Sequence, residues 1–126
     1  MIDTSSDVRM WLSTPLTNNN AGQTRHWTAA YDAKLEFDRL LLPFRRRSGP
    51  PDHKQRITIT RILGKGERLW DADSVLRGNA KQLIDALADA GYFHDDGPKW
   101  LTEAVGRQDA GLRQNGPAIL IEIERV

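Results

Sequence analysis

Four aspartates in two short groups are the residues of this chain best suited to chemistry. Asp71 and Asp73 stand two apart in Trp70-Asp71-Ala72-Asp73-Ser74, and Asp95 and Asp96 are adjacent in His94-Asp95-Asp96-Gly97-Pro98. Between them, Asn79-Ala80-Lys81-Gln82-Leu83-Ile84-Asp85-Ala86-Leu87 carries a single lysine. Carboxylates gathered at one point repel each other unless a cation sits among them, and a hard divalent metal with oxygen ligands meets that need. In extended backbone residues i and i+2 point the same way, so Asp71 and Asp73 can both reach one ion. Of Asp95 and Asp96, only one can. Three convergent aspartates and water suit Mg2+, which takes few carboxylates and leaves room for substrate phosphate oxygens. Such an ion activates water, polarises the phosphorus–oxygen bond and steadies the leaving oxygen. The expected chemistry is phosphodiester hydrolysis.

Plainer readings accompany each residue. Asp95-Asp96-Gly97-Pro98 is also a good turn. Asp71 and Asp73 also precede a helix whose positive end favours acids. Lys81 and Asp85, four apart, are spaced as a helical ion pair. An EF-hand is excluded, because Leu76 and Gln82 occupy the positions of its turn glycine and bidentate acid. His26, His53 and His94 lack metal-ligand spacing and are assigned to solvent or packing.

The elements that must position these residues are legible from periodicity and breakers. Arg9–Leu12 reads as a first strand, 15–23 as a loop with Asn18, Asn19 and Asn20, and 28–42 as a helix ended by Pro43, with Tyr31, Leu35 and Leu42 in its pattern. Ser48-Gly49-Pro50-Pro51-Asp52 breaks the chain. Residues 56–63 alternate as a half-buried strand with Ile57 and Ile59 on one face. Asn79 is the expected N-cap, and Gly91 the C-terminal residue, of a helix with an Ala80, Leu83, Ile84 and Leu87 face. Residues 100–105 and 117–125 read as strands, the latter with Ile119, Ile121 and Ile123 inward, joined as a hairpin through 111–116. The order predicts one α+β domain over residues 1–126, a mixed or antiparallel sheet with helices mainly on one face.

Composition is that of a soluble globular protein, with 39% hydrophobic and 28% charged residues and no cysteine. Thiolate metal sites and disulfides are thereby excluded, and a cytoplasmic setting is expected. Met1 to Asp7 shows neither the basic start nor the apolar run of a secretion signal, and Leu40-Leu41-Leu42-Pro43-Phe44 is too short to span a bilayer, so no membrane partner is expected. Net charge is only +1, but it is segregated. Arg45, Arg46, Arg47, Lys54 and Arg56 lie in a basic tract, and the acids collect from Asp71 to Asp96. Phosphate attraction beside metal ligands is what a metal-dependent enzyme on a polyanion requires.

Taken together, Asp71-Ala72-Asp73-Ser74, Lys81 four before Asp85-Ala86-Leu87, Ala90-Gly91 and Asp95-Asp96 resemble the RusA family of Holliday junction resolvases, common in phages and prophages. The family pattern has Asn where this chain has Ser74, and about four fewer residues before the lysine. The resemblance implies a homodimeric, Mg2+-dependent endonuclease that nicks four-way DNA symmetrically in recombination and repair, in a bacterial or phage-infected cell. By position it implies Asp71, Asp73 and Asp96 as catalytic metal ligands, with Asp95 as a substitute for Asp96, and Lys81 as the catalytic lysine. Arg45, Arg46, Arg47, Lys54 and Arg56 are candidates for DNA backbone contacts. The alternatives are a branched-DNA-binding protein that does not cut and a less selective phage DNA nuclease.

Overall fold

Two cross-strand isoleucine pairs organise the molecule. The computed structural model describes residues 8–17, 27–71 and 74–126, and the side chains of 27–31 lie outside that description. Strand β1 (Val8–Leu12) is followed by helix α1 (Trp27–Leu41), β2 (Gln55–Ile62), helix α2 (Ala80–Asp89), β3 (Leu101–Asp109) and β4 (Ala118–Arg125). The strands form one sheet in the order β1-β4-β2-β3, with β2 and β3 parallel and the other neighbours antiparallel. The register sets Ile57 opposite Ile123 and Ile59 opposite Ile121, while Ile119 stands opposite Arg61. These five isoleucines are at most 1% exposed. Burying each contributes about 1.5–3 kcal/mol. Helices α1 and α2 cover this face through Phe37, Leu41, Leu83 and Leu87, and the other face carries Arg9, Arg56, Thr58, Glu122 and Glu124. The domain is α+β, a mixed four-stranded sheet with both helices on one side. None of the helices is long and apolar enough to cross a membrane among the described residues.

The expected hairpin between the last two strands does not form. β2 lies between β3 and β4, and the chain after Asp109 crosses the end of β2, where the Leu63 amide donates to the Asp109 carbonyl (3.0 Å). Apolar content explains the order. β2 and β4 are isoleucine-rich and take the centre, whereas Thr102, Glu103 and Ala104 of β3 are exposed and suit an edge. β2 connects to its parallel neighbour through α2, as a parallel pair requires.

Two helix details also differ from the sequence expectation. Phe37 and Leu41 are the inward residues of α1, whereas Leu35 and Leu42 are 48% and 58% exposed. The chain continues past Leu41 into a 3-10 turn, Leu42–Phe44, that accommodates Pro43. Asn79 precedes α2, but its side chain does not cap it. Instead the Thr17 amide donates to Asn79 Oδ1 (3.0 Å) and the Asn79 amide to the Thr17 carbonyl (3.2 Å), which pins the 13–17 segment to the start of α2. The expected Gly91 ending holds. With φ +95°, Gly91 lets its own amide reach the Ala88 carbonyl and the Tyr92 amide the Leu87 carbonyl.

Candidate active site

The inner face of edge strand β3 forms a trough. Register rows run Val8–Ile123–Ile57–Ala104, Met10–Ile121–Ile59–Gly106 and Leu12–Ile119–Arg61–Gln108. The β3 members are thus alanine, glycine and glutamine, and Trp70, Val75 and Leu76 lie against them. At the far end Gln108 grips Trp70: its Oε1 accepts from the Trp70 amide (2.9 Å), and its Nε2 donates to the Trp70 carbonyl (3.0 Å). A side-chain amide here replaces the backbone of a neighbouring strand. Arg61 lies beneath, 4% exposed, its guanidinium 3.8 Å from the Trp70 ring centroid. Arg61 Nη1 donates to Gln108 Oε1 and to the Arg68 carbonyl, both at 2.9 Å. Burial pushes the Arg61 guanidinium below its ordinary pKa range, opposed by Glu67, whose carboxylate is 3.7 Å away.

Past this grip comes Asp71, exposed, whose carbonyl accepts from the Ser74 amide (2.9 Å). Asp73 lies outside the described residues. The next turn, Val75–Arg77, buries Val75 against Gly106, and Leu76 reaches the level of Ala104.

At the lower end lies a cavity of about 330 Å³ lined by Leu76, Lys81, Ile84, Asp96 and residues 101–104. Helix α2 supplies Lys81, and the turn after Gly91 supplies Asp96, steadied by Phe93, which is 1% exposed. Lys81 Nζ stands 3.6 Å from Asp96 Oδ2 and 3.9 Å from Asp85 Oδ2. Burial raises the Asp85 carboxyl pKa, Lys81 lowers it and Asp96 raises it. Asp95 is differently employed: its Oδ1 accepts from the Gly97 amide (2.7 Å), closing the turn. Of the adjacent pair, Asp96 is the carboxylate that faces the lysine.

Asp96, Lys81 and Asp85 are thus brought together, and Asp71 is placed at the head of the trough that ends at them. Among the described residues no three acidic or histidine side chains converge on one point. In kind, the donors Asp71 and Asp96 fit a hard cation, being exposed carboxylates outside any hydrogen bond among the described residues that would consume them. The basic residues divide. Arg45, Arg47 and Lys54 are exposed and make no ion pair with a described residue. Arg46 Nε donates to the Gly49 carbonyl (2.9 Å), and Arg56 is engaged by Glu124 (2.7 Å) and Glu103 (3.5 Å) on the outer face.

Sequence reasoning missed Arg61 and Gln108, although a charged residue inside the run Ile57 to Leu63 was a signal that something polar must meet it. It also missed the contact between His94 Nε2 and Asp52 Oδ1 (2.7 Å) that ties the 48–54 loop to the Asp96 turn. His94 also packs on Trp100, ring centroids 4.3 Å apart. Compared with known families and with curated proteins, the chain matches no family model and no curated sequence.

Proposed function

We propose that this protein is a Mg2+-dependent endodeoxyribonuclease of the RusA type, acting as a homodimer on four-way or branched DNA in the cytoplasm of a bacterial or phage-infected cell. The observation that carries the reading is the Lys81 ammonium 3.6 Å from the Asp96 carboxylate on the wall of an exposed cavity. A lysine and a carboxylate on an open surface, at the foot of a tract that begins with Asp71, are the parts that phosphodiester hydrolysis needs.

Asp71, Asp73 and Asp96 would hold the metal, which supplies an activated water and charge neutralisation at the phosphate. Lys81 has a separate task. Its ammonium, 3.6 Å from Asp96, would offset the negative charge that grows on a phosphate oxygen bound beside it. Asp85 keeps the lysine pointed into the cavity from one helical turn away. Arg45, Arg47 and Lys54 are free to neutralise phosphates, whereas Arg56 is already neutralised by two glutamates. A two-fold dimer suits a two-fold junction, because paired sites cut opposing strands.

The test is an end-labelled synthetic four-way junction incubated with the protein in Mg2+ or in chelator, beside a linear duplex of the same sequence. Paired nicks in the junction only, and only with Mg2+, are expected. Tight binding with no product strand in either condition refutes the nuclease, and equal cutting of the duplex refutes the junction selectivity.

A further inference from the structure

Arg61 and Gln108 are an unusual pair to find at the end of a core row otherwise filled by Leu12 and Ile119. A buried guanidinium and amide are retained at a cost unless their hydrogen-bonding groups are met. Here they are met by one segment, residues 68–70, through the Arg68 carbonyl and both backbone groups of Trp70. The Trp70 ring then covers the guanidinium face. The segment so held ends one residue before Asp71. On the other side of Asp71, the Ser74 amide bond and the buried Val75 hold the chain against Gly106. Asp71 is fastened from both directions, and the upstream fastening is made entirely by polar side chains whose presence the core does not otherwise require.

We infer that Gln108, backed by Arg61, is a positioning residue that sets where the Asp71 carboxylate stands. The inference rests on the nuclease reading only for its catalytic consequence. Gln108 never touches the metal or the phosphate. It acts by fixing the Trp70 peptide, and through it the direction in which Asp71 leaves the sheet, as outer-shell partners of metal ligands do.

The experiment compares the parent with Gln108→Leu, Gln108→Glu and, as a control at an exposed site, Gln114→Leu. Three readouts apply: hydrogen exchange of the Trp70 amide, broadening of the Asp71 amide resonance by Mn2+, and the Mg2+ concentration that gives half-maximal junction cutting. In Gln108→Leu the Trp70 amide loses its protection and Mn2+ broadening at Asp71 requires roughly 10- to 100-fold more metal, with a matching shift in the Mg2+ dependence and a smaller fall in the rate at saturation. Gln108→Glu keeps the acceptor for the Trp70 amide and Arg61 and lies between, whereas Gln114→Leu behaves as the parent. Undiminished protection at Trp70 in folded Gln108→Leu overturns the proposal. So does lost protection with unaltered Mn2+ broadening at Asp71. The two failures separate: a parent that never cuts four-way DNA sinks the nuclease, while the clasp stands or falls on exchange and broadening, which need no cleavage.

Discussion

A single methyl group at Gly106 should both destabilise the domain and disable the site. Gly106 has no left-handed φ to protect, so any penalty must come from space. A Cβ there would stand 2.9 Å from Val75 Cβ and 3.1 Å from both Val75 Cγ1 and Leu76 Cγ. Carbon atoms in contact prefer about 3.5–4.0 Å, so the turn must retreat by roughly 0.5–1 Å. The nearest atom is a Cβ, fixed to its own backbone, and no rotamer change of Val75 relieves it. Overpacking of this kind costs about 1–3 kcal/mol. For a chain of this length that lowers Tm by about 3–15 °C. The same displacement is passed to Asp71 through the Ser74 amide bond, and under the proposed function a misplacement of about 1 Å is enough for a rate loss on the order of 100-fold. Differential scanning calorimetry of Gly106→Ala, with junction cutting measured alongside, reads both. Adding Val75→Ala should be less than additive, since the new methyl then occupies part of the space vacated. The sign of the shift decides the matter. Without the clash, Gly→Ala in ordinary backbone stabilises by about 0.4–1 kcal/mol, so an unchanged or raised Tm refutes the packing of this turn on β3.

Other substitutions test separate parts. Lys81→Met should leave chemical denaturation within about 0.5 kcal/mol of the parent, because its ion pairs are exposed, yet lower the cutting rate about 100- to 1,000-fold; equal cutting removes Lys81 from the mechanism. The Asp85 carboxyl is raised above its unfolded value of 3.8, so the folded state binds the extra proton and its stabilisation fades as pH rises through the folded pKa. Asp85→Asn should therefore raise Tm slightly at pH 7 and not below pH 3.8; a lower Tm at pH 7 would mean that pairing with Lys81 outweighs desolvation. At Gly91, with φ +95°, a Cβ would lie 2.8 Å from the Arg46 carbonyl oxygen, so Gly91→Ala should cost about 2 kcal/mol or more in urea denaturation.

The elements that the sequence made legible are those whose pattern is periodic and local. The isoleucine alternation in 57–59 and 119–123 marked both central strands, and Asn79 with Gly91 bracketed α2 closely, though Asn79 turned out to hold Thr17 instead of capping. What escaped notice was pairing at a distance. Strand adjacency in sequence suggested a β3–β4 hairpin, while relative apolarity of the strands decided that β2 should separate them. At the site, the turn chemistry of Asp95 and the spacing of Lys81 from Asp85 could be read directly. The alternation Ala104, Gly106, Gln108 could not be read as a trough until the tract that fills it was known.

The Asp96 carboxylate either does chemistry or merely shapes a surface. The most direct measurement is single-turnover cleavage of a four-way junction by Asp96→Asn in Mg2+, paired with its binding to the same junction in Ca2+. Binding should equal the parent's and nicking should slow by at least about 100-fold, since the change removes a charge at the reacting centre and leaves the fold intact. Nicking at the parental rate with binding unchanged contradicts a chemical role for Asp96.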